Sequence, residues 1–339
     1  MIDSPIRVGQ VAIHDEIHLS GGLRAATAKG GHLVFHQSTE GRSINLIHVK
    51  SKGQYYQAAK HFGFDIIGHE AHAVNEKGVQ SIWNAFDIPT ERIDIADAWS
   101  GIAYSAKKVG RQTAAETGRK IAFSLRTASL RLRDCSREYG RQNEVAIRDR
   151  IKDGLRFANI EIFDLYMALH STLVEMCSAR DYLARFIASE ILNLDKEIDS
   201  MAGLSKAVSS KSLLQQSKDL QLLNVIRTMC DRTTDEGWMA RLSEFRNIIA
   251  HRAPINNVAE DASLTANFRE IGSMQAVSIY LGIPKDPIKS MDDDFVDALS
   301  HFIELSRNLR RFARLVLESS GFQIQFPQIT DADLIFPSA

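Results

Sequence analysis

An arginine, an asparagine and a histidine occur within six residues of each other, as Arg246, Asn247 and His251 in an R-N-x-x-x-H pattern. Histidine titrates near neutral pH and can transfer a proton, while arginine is always charged and can hold a phosphate through two parallel hydrogen bonds. Together these side chains are sufficient to cleave RNA without a metal ion. The segment is therefore our candidate catalytic site.

The element that must position these residues is an amphipathic helix. Thr233-Thr234-Asp235-Glu236 has the spacing of a capping box and predicts its start, and Leu242, Phe245 and Ile249 predict its buried face. Pro254 restrains Ala253 from helical geometry, so His251 falls in or just past the final turn.

The spacing of the motif raises a geometric difficulty. On an ideal helix Asn247 and His251 lie about 40° apart, whereas Arg246 lies about 140° from His251. Either the long arginine side chain reaches around the helix, or the helix unwinds before His251. A second molecule packed against this helix would ease the problem, because two copies of the motif could line one groove across a two-fold axis.

The rest of the C-terminal half has the pattern of a helical bundle. Besides the motif helix, we predict helices over Leu155–Leu194, over Ser212–Met229 and from Ser290 to Gly321, with everything after about residue 145 helical. The apolar stripe predicted for the first of these helices contains Ile160, Phe163, Met167, Leu173, Val174, Cys177, Phe186, Ile187 and Ile191.

The sequence pattern of the N-terminal part differs from that of a helical bundle. Short runs rich in β-forming residues predict strands over Arg7–Val11, His32–His36 and Ile44–Val49, and Gln54–Phe62 and Gly78–Phe86 read as short helices. We therefore expect an α+β protein: a small mixed α/β domain over 1–140 that ends in a basic helical region, an all-α antiparallel bundle over 145–320, and a tail over 321–339.

The C-terminal half resembles the HEPN superfamily. Active members are helical bundles that carry an arginine, often followed by a polar residue, and a histidine after four to six residues; Arg246, Asn247 and His251 match this pattern. The segment Ser178-Ala179-Arg180-Asp181-Tyr182-Leu183 and the arginine-rich last helix are also similar to HEPN proteins. The resemblance covers about residues 145 to 320 and leaves the N-terminal part unexplained.

The resemblance implies a metal-independent endoribonuclease in which the ribose 2′-hydroxyl attacks the adjacent phosphate, leaving a 2′,3′-cyclic phosphate and a 5′-hydroxyl. His251 would transfer a proton, Arg246 would stabilise charge on the phosphate, and Asn247 would orient either group. Arg252 could hold the RNA backbone. The implied protein is a toxin or antiviral defence effector, a homodimer with a composite site, controlled by an antitoxin or another regulatory partner.

Other HEPN domains are noncatalytic, so the alternative is a scaffold that dimerises and binds nucleic acid or a protein.

The distribution of charge is relevant to both functions. The net charge of the chain is −1, but fourteen basic and six acidic residues fall between Lys107 and Arg156. Within this stretch Arg119, Arg126 and Arg133 recur every seven residues. This ladder is either an ordinary solvated face or a surface that contacts phosphates, in which case Arg126 and Arg133 bind RNA. Gly118 and Gly140 argue against one unbroken helix here.

No metal or other cofactor is expected. His14 and His18 and then His69 and His72 lie at metal-ligand spacings, but the first pair falls in a strand-like run and neither segment is H-E-x-x-H. Neither G-x-x-x-x-G-K-[ST] nor G-x-G-x-x-G occurs, which argues against P-loop and dinucleotide-binding enzymes. A metal enzyme built on the N-terminal histidines stays as the weakest alternative.

We expect the protein to be cytoplasmic. The first residues lack the pattern of a signal peptide, and no apolar stretch is long enough for a membrane span. Cys135, Cys177 and Cys230 are far apart and odd in number, which predicts reduced, buried thiols rather than disulfides.

Overall fold

Helices and antiparallel β-sheets together build the protein, which confirms the predicted α+β class. The structure is a computed structural model that describes residues 15–28, 32–36, 43–48, 52–75, 78–85, 93–194, 197–209, 219–251, 264–271, 274–288 and 295–327. The chain divides into two compact units, each assembled from three stretches. Unit 1 draws on 1–90, 127–174 and 240–307, and unit 2 draws on 91–126, 175–239 and 308–339.

Unit 1 contains a six-stranded antiparallel sheet in the order β4-β3-β2-β1-β5-β6. Helix α1, Lys52–His61, lies between β4 and β5 in the chain, close to the predicted Gln54–Phe62. The strands are β1 Asp15–Leu19, β2 Arg24–Ala28, β3 His32–His36, β4 Ser43–His48, β5 Ile66–Asn75 and β6 Gly78–Ala85. The predictions of β3 and β4 are confirmed, the prediction of a helix over Gly78–Phe86 is wrong, and the predicted strand Arg7–Val11 lies outside the described residues.

The two faces of this sheet differ because neighbouring side chains on a strand point in opposite directions. One face is apolar: Ile17, Leu19 and Ala25 pack with Ala59 and Phe64 in a buried cluster. The other face carries Glu16, His18 and Arg24, together with Glu70 from β5, and these charged and polar groups are buried or largely buried. The register explains this, since Glu16 pairs with Glu70 and His18 pairs with Arg24.

Helix α3 runs unbroken from Gln112 to Arg148, so the predicted interruption at its glycines is wrong. Gly118 allows close packing, whereas a Cβ at Gly140 would make only an ordinary contact. In unit 2, a Cβ at Gly118 would come within 3.2 Å of the Cβ of Ala103. In unit 1, a Cβ at Gly140 would lie 3.6 Å from the carbonyl oxygen of Gly22, whose own φ is +80°. Tertiary packing therefore outweighs the weak helix propensity of glycine.

Unit 1 also contains strands within the stretch predicted to be wholly helical. Strands β7 Arg156–Phe157, β8 Leu264–Ile271 and β9 Met274–Tyr280 form a three-stranded antiparallel sheet, and β10 Gly282–Pro284 pairs with β11 Phe295–Asp297. The all-α character expected for 145–320 is therefore wrong. Along β8, buried Leu264 and Ala266 alternate with more exposed residues, which is the period of a strand rather than a helix.

Helix α4 begins at Ile162 and ends at Phe186, continued by a π-helical turn, rather than spanning Leu155–Leu194. Its predicted core stripe is correct in part. Leu173, Cys177, Phe186 and Ile187 are buried, but Ile160, Phe163, Met167 and Val174 are exposed, with 83%, 62%, 63% and 49% of their surface accessible. The buried face in this half instead carries Leu165, Tyr166 and Leu169.

Unit 2 is helical around buried aromatic residues. Trp99 of α2, Ile95–Lys108, packs edge-on against Phe186 with ring centroids 4.9 Å apart, and its indole nitrogen donates a hydrogen bond to the carbonyl of Ala313. The helices α5, Met201–Val208, and α6, Leu220–Cys230, also belong to this unit. Of the predicted helix Ser212–Met229, the structure describes only 219–229.

The last two helices begin later than predicted. Helix α7 spans Trp238–His251, so the predicted capping box over 233–236 precedes the helix and does not open it. Helix α8 spans Ala298–Ser319 and is capped by Asp297, whose carboxylate accepts hydrogen bonds from the backbone of Ser300 and the hydroxyl of Tyr139. Within the part of the chain that the structure describes, every helix is too short or too polar to cross a bilayer.

Candidate functional site

Helix α7 carries the R-N-x-x-x-H motif and is anchored in unit 1 by its apolar face. Leu242, Phe245 and Ile248 are buried, whereas Ile249, predicted to face the core, is half-buried. The ring of Phe245 lies 6.5 Å from that of Phe302 on α8. This packing fixes the orientation of α7 and determines which of its residues face solvent.

The motif occupies the face of α7 opposite this core. Arg246 and Ala250 are exposed and Asn247 is half-buried. The helix continues through His251, so unwinding before the histidine, one of the two solutions to the motif's geometry, is wrong. At about 100° per residue, the positions of Arg246 and His251 lie at the two borders of the exposed face, with Asn247 and Ala250 between them.

The exposed face of α7 carries different groups at its borders and in its middle. A guanidinium group stands at one border, a histidine position at the other, and the positions between them carry the small side chains of Ser243, Asn247 and Ala250. A ligand or a second helix placed along the middle of this face would lie between the two groups. The side chain of His251 and the whole of Arg252 are outside the described residues.

The predicted RNA-binding arginines of α3 are held by carboxylates of the same chain. In unit 2, Arg126 lies 2.5 Å from Asp97. In unit 1, Arg133 lies 3.1 Å from its neighbour Asp134. These pairs reduce the positive charge expected from the sequence, because each guanidinium already has an anionic partner.

Two further arginines of α3 are also paired with carboxylates. Arg137 donates a 2.6 Å hydrogen bond to Glu70, and Arg141 donates one of 2.9 Å to Glu138. The fourteen basic residues between 107 and 156 therefore do not form one uncompensated surface.

A second histidine packs against α7, and no motif or spacing in the sequence points to it. His301 lies in the first turn of α8, is buried, and contacts Phe245 with ring centroids 5.5 Å apart. Burial, reinforced by the charges of Arg241 and Lys285 and opposed by that of Asp286, lowers the pKa of His301 to about 4. The imidazole is therefore neutral at physiological pH.

The other chemically notable group in unit 1 is the polar face of the six-stranded sheet. Nε2 of His18 lies 3.2 Å from Oε2 of Glu70 and 3.7 Å from Oε2 of Glu16. The remaining oxygens of the two carboxylates face arginines: Oε1 of Glu70 lies 2.6 Å from Arg137, and Oε1 of Glu16 lies 3.9 Å from Arg24. We call Glu16, His18 and Glu70 the sheet triad.

Burial and charge set the protonation of the triad. Burial, followed by the charge of Arg24, lowers the pKa of His18, although the two carboxylates act in the opposite direction. Burial raises the pKa of Glu70, but contacts with His18 and Ser81 and the charge of Arg137 outweigh this effect and leave a pKa of about 2. At neutral pH the triad therefore combines a neutral imidazole with an ionised Glu70.

Comparison of the chain with protein-family models, with curated proteins and with solved structures gives no match. The family resemblance read from the motif therefore stays a prediction.

Only an indirect signal for the sheet triad is present in the sequence. The histidine-rich segments around His18 and His69 have metal-ligand spacing only if each segment is a helix. In the structure His18 lies on β1 and His69 and His72 lie on β5, so the group is not formed by the histidines of one segment. Glu16 and His18 share a face because they are two residues apart on a strand, and Glu70 joins them through pairing of β1 with β5.

Proposed function

We propose that this protein is a metal-independent endoribonuclease of HEPN type, acting in the cytoplasm as a toxin or antiviral defence effector. The observation that carries the proposal is the R-N-x-x-x-H motif on the solvent-facing side of α7, with Arg246 exposed and the helix continuing through His251. An exposed arginine near the end of a helix is available to a large polyanionic substrate.

The residues of α7 have separate roles in the proposed reaction. His251 transfers a proton, either from the attacking 2′-hydroxyl or to the departing 5′-oxygen. Arg246 stabilises the additional negative charge of the pentacoordinate phosphate, and Asn247, which lies between them on the helix surface, orients a phosphate oxygen. Arg252 holds the RNA backbone. DNA is not cleaved, because it lacks the nucleophilic 2′-hydroxyl.

The separation of Arg246 and His251 favours a site shared by two subunits. One helix presents the two groups at opposite borders of its exposed face, so a phosphate in contact with both must lie across that face. In a two-fold dimer with facing motif helices, the arginine of one subunit and the histidine of the other can approach the same phosphate. A regulatory protein that covers this groove would control the activity.

The test is RNA cleavage in the presence of EDTA by the wild type and the variants Arg246→Ala and His251→Ala. Loss of one group that stabilises the transition state is expected to lower the rate by a factor of about 100 to 1,000. The products of the wild-type reaction should carry 2′,3′-cyclic phosphate and 5′-hydroxyl ends.

Matched controls are Arg311→Ala and His61→Ala, which remove the same side-chain types at exposed positions on other helices. Both controls should cleave RNA at the wild-type rate. An inactive wild type, or equal activity in wild type and His251→Ala, would refute the proposal.

A noncatalytic dimerisation scaffold is the second candidate, and the exposed residues Ile160, Phe163 and Met167 favour it. Ile160 lies just before α4, and Phe163 and Met167, four residues apart, lie on one side of the helix, where a second copy of the chain could pack. For the scaffold, Met167→Glu should lower the dimer fraction in sedimentation experiments. Growth arrest on expression that persists in Arg246→Ala would favour the scaffold, and arrest that disappears would favour the nuclease.

A further inference from the structure

Three potential metal ligands converge on the polar face of the six-stranded sheet. The ligand atoms of Glu16, His18 and Glu70 all lie within 4.8 Å of one another. His18 and Glu70 are almost fully buried, and Glu16 is 19% exposed. The register of β1 and β5 fixes all three positions, so the convergence is a property of the sheet rather than of flexible loops.

The imidazole of His18 points into this group without a hydrogen bond at one of its nitrogens. Among the residues that the structure describes, Nε2 has no hydrogen-bond partner. Its distances to these oxygens, 3.2 Å and 3.7 Å, resemble the spacing of ligands around one ion. Two ligand atoms bound about 2.1 Å from a metal at angles between about 90° and about 125° lie about 3.0 to about 3.7 Å apart.

The surroundings hold each of these groups in place. Nδ1 of His18 lies 3.2 Å from Oγ of Ser136, which also accepts a hydrogen bond from Arg24. Arg137 binds Oε1 of Glu70 and leaves Oε2 directed toward the imidazole. A polar partner on the second nitrogen of a histidine and a hydrogen-bonded carboxylate are common features around metal ligands in proteins.

We propose that the sheet triad binds one divalent transition-metal ion through Nε2 of His18 and Oε2 of each glutamate. One imidazole and two carboxylates suit Zn²⁺, Mn²⁺ or Fe²⁺, whereas Mg²⁺ and Ca²⁺ prefer ligand sets made only of oxygen. When the metal binds Nε2, the proton of the imidazole resides on Nδ1 and is donated to Ser136. The ion enters past Glu16, the most exposed of the three ligands.

The charges nearby are compatible with a bound cation. The carboxylates of Glu16 and Glu70 are balanced by the guanidinium groups of Arg24 and Arg137, and burial keeps His18 neutral. The ion is thus not opposed by a net positive charge. It would connect β1 to β5 beneath α3, independently of the motif on α7.

The experiment measures metal binding to the full, untagged chain after dialysis against EDTA. Titration with Zn²⁺, Mn²⁺ or Co²⁺ is followed by calorimetry, bound metal is quantified by elemental analysis, and Co²⁺ gives an absorption spectrum that reports nitrogen and oxygen ligands. The wild type should bind one equivalent. His69→Gln is the matched control, because His69 neighbours Glu70 but points to the opposite face of β5, and it should bind equally well.

Variants of the triad and of its support separate a metal site from a structural polar cluster. Glu16→Gln, which preserves shape at the most exposed ligand, should weaken binding more than tenfold while far-UV circular dichroism shows a folded protein. Ser136→Ala, at a positioning residue, should weaken binding about 10- to 100-fold. No binding by the wild type, or wild-type affinity in Glu16→Gln, would overturn the proposal; neither result depends on RNA cleavage, which is assayed in EDTA.

Discussion

Lowering the pH from 7 to 5 is expected to destabilise the protein through His301. This imidazole is only 8% exposed and packs against Phe245, and its neighbours include Arg241, Lys285, Asp286 and, at 3.9 Å, Glu304. Burial and the two nearby positive charges lower its pKa from 6.5 to about 4. In the unfolded chain the same side chain takes up a proton near its ordinary pKa of about 6.5.

The sign and size of the effect follow from this difference. Between about pH 6.5 and about pH 4 the unfolded state binds a proton that the folded state does not, so the free energy of unfolding falls as the pH falls. The shift between the two pKa values corresponds to a loss of about 2 kcal/mol from pH 7 to pH 5, and about 3 kcal/mol in total below pH 4.

Urea unfolding of the wild type and His301→Gln at pH 7 and pH 5 measures this contribution. The variant lacks the titrating group, so its loss of stability between the two pH values should be smaller by about 2 kcal/mol. The control His61→Gln, at an exposed position, should lose as much as the wild type. Equal losses in the wild type and His301→Gln would refute the assignment of the effect to His301.

Other consequences of the packing are open to direct measurement. Gly22→Ala should lower the free energy of unfolding in urea by about 2 kcal/mol more than Gly110→Ala does. Both glycines have a positive φ, but a Cβ at Gly22 would lie 2.5 Å from the backbone of Tyr139, whereas nothing would lie within 4 Å of a Cβ at Gly110. Tyr139→Phe should cost about 1 to 3 kcal/mol, because the buried hydroxyl donates to Asp297 and accepts from the backbone of Leu299, and equal stability would contradict this. Burial raises the pKa of Cys135 to about 12, so mass spectrometry should find it labelled by thiol reagents at pH 8 only after unfolding.

The secondary structure could be predicted where the local pattern and the tertiary fold agree. The β-rich run His32–His36 and the helix Lys52–His61 were predicted within a few residues. The segment Gly78–Ala85 was wrongly predicted to be helical, and it becomes a strand by pairing with β5. Such pairing depends on partners elsewhere in the chain, which local propensity does not report.

Helix α4 shows why the buried face of a helix cannot be predicted from periodicity alone. The segment Leu155–Leu194, predicted to be one helix, contains so many apolar residues that more than one apolar face is consistent with its sequence. The sequence favoured Phe163 and Met167, whereas in the structure Leu165 and Leu169 are buried. Periodicity establishes that a helix has an apolar side, but the neighbours decide which of two such sides is covered.

The two candidate sites differ in how they could be found. The motif on α7 is a local pattern, and the sequence identified its residues and the helix that carries them. The sheet triad depends on which residue of β1 faces which residue of β5, and a shift of one residue would separate Glu16 and His18 from Glu70. Strand register therefore creates a constellation that spacing along the chain does not reveal.

The mutual neutralisation of charges beneath α3 restricts how this sequence can evolve. Arg24 is buried among Glu16 and Glu70, so a substitution that removes the arginine first leaves two carboxylates without that compensating charge. Breaking such a buried pair on one side costs about 3 to 5 kcal/mol, whereas replacing both partners with apolar residues can be close to neutral. Changes on this sheet face should therefore be inherited in compensating pairs, and the order in which they arise should matter as much as their identity.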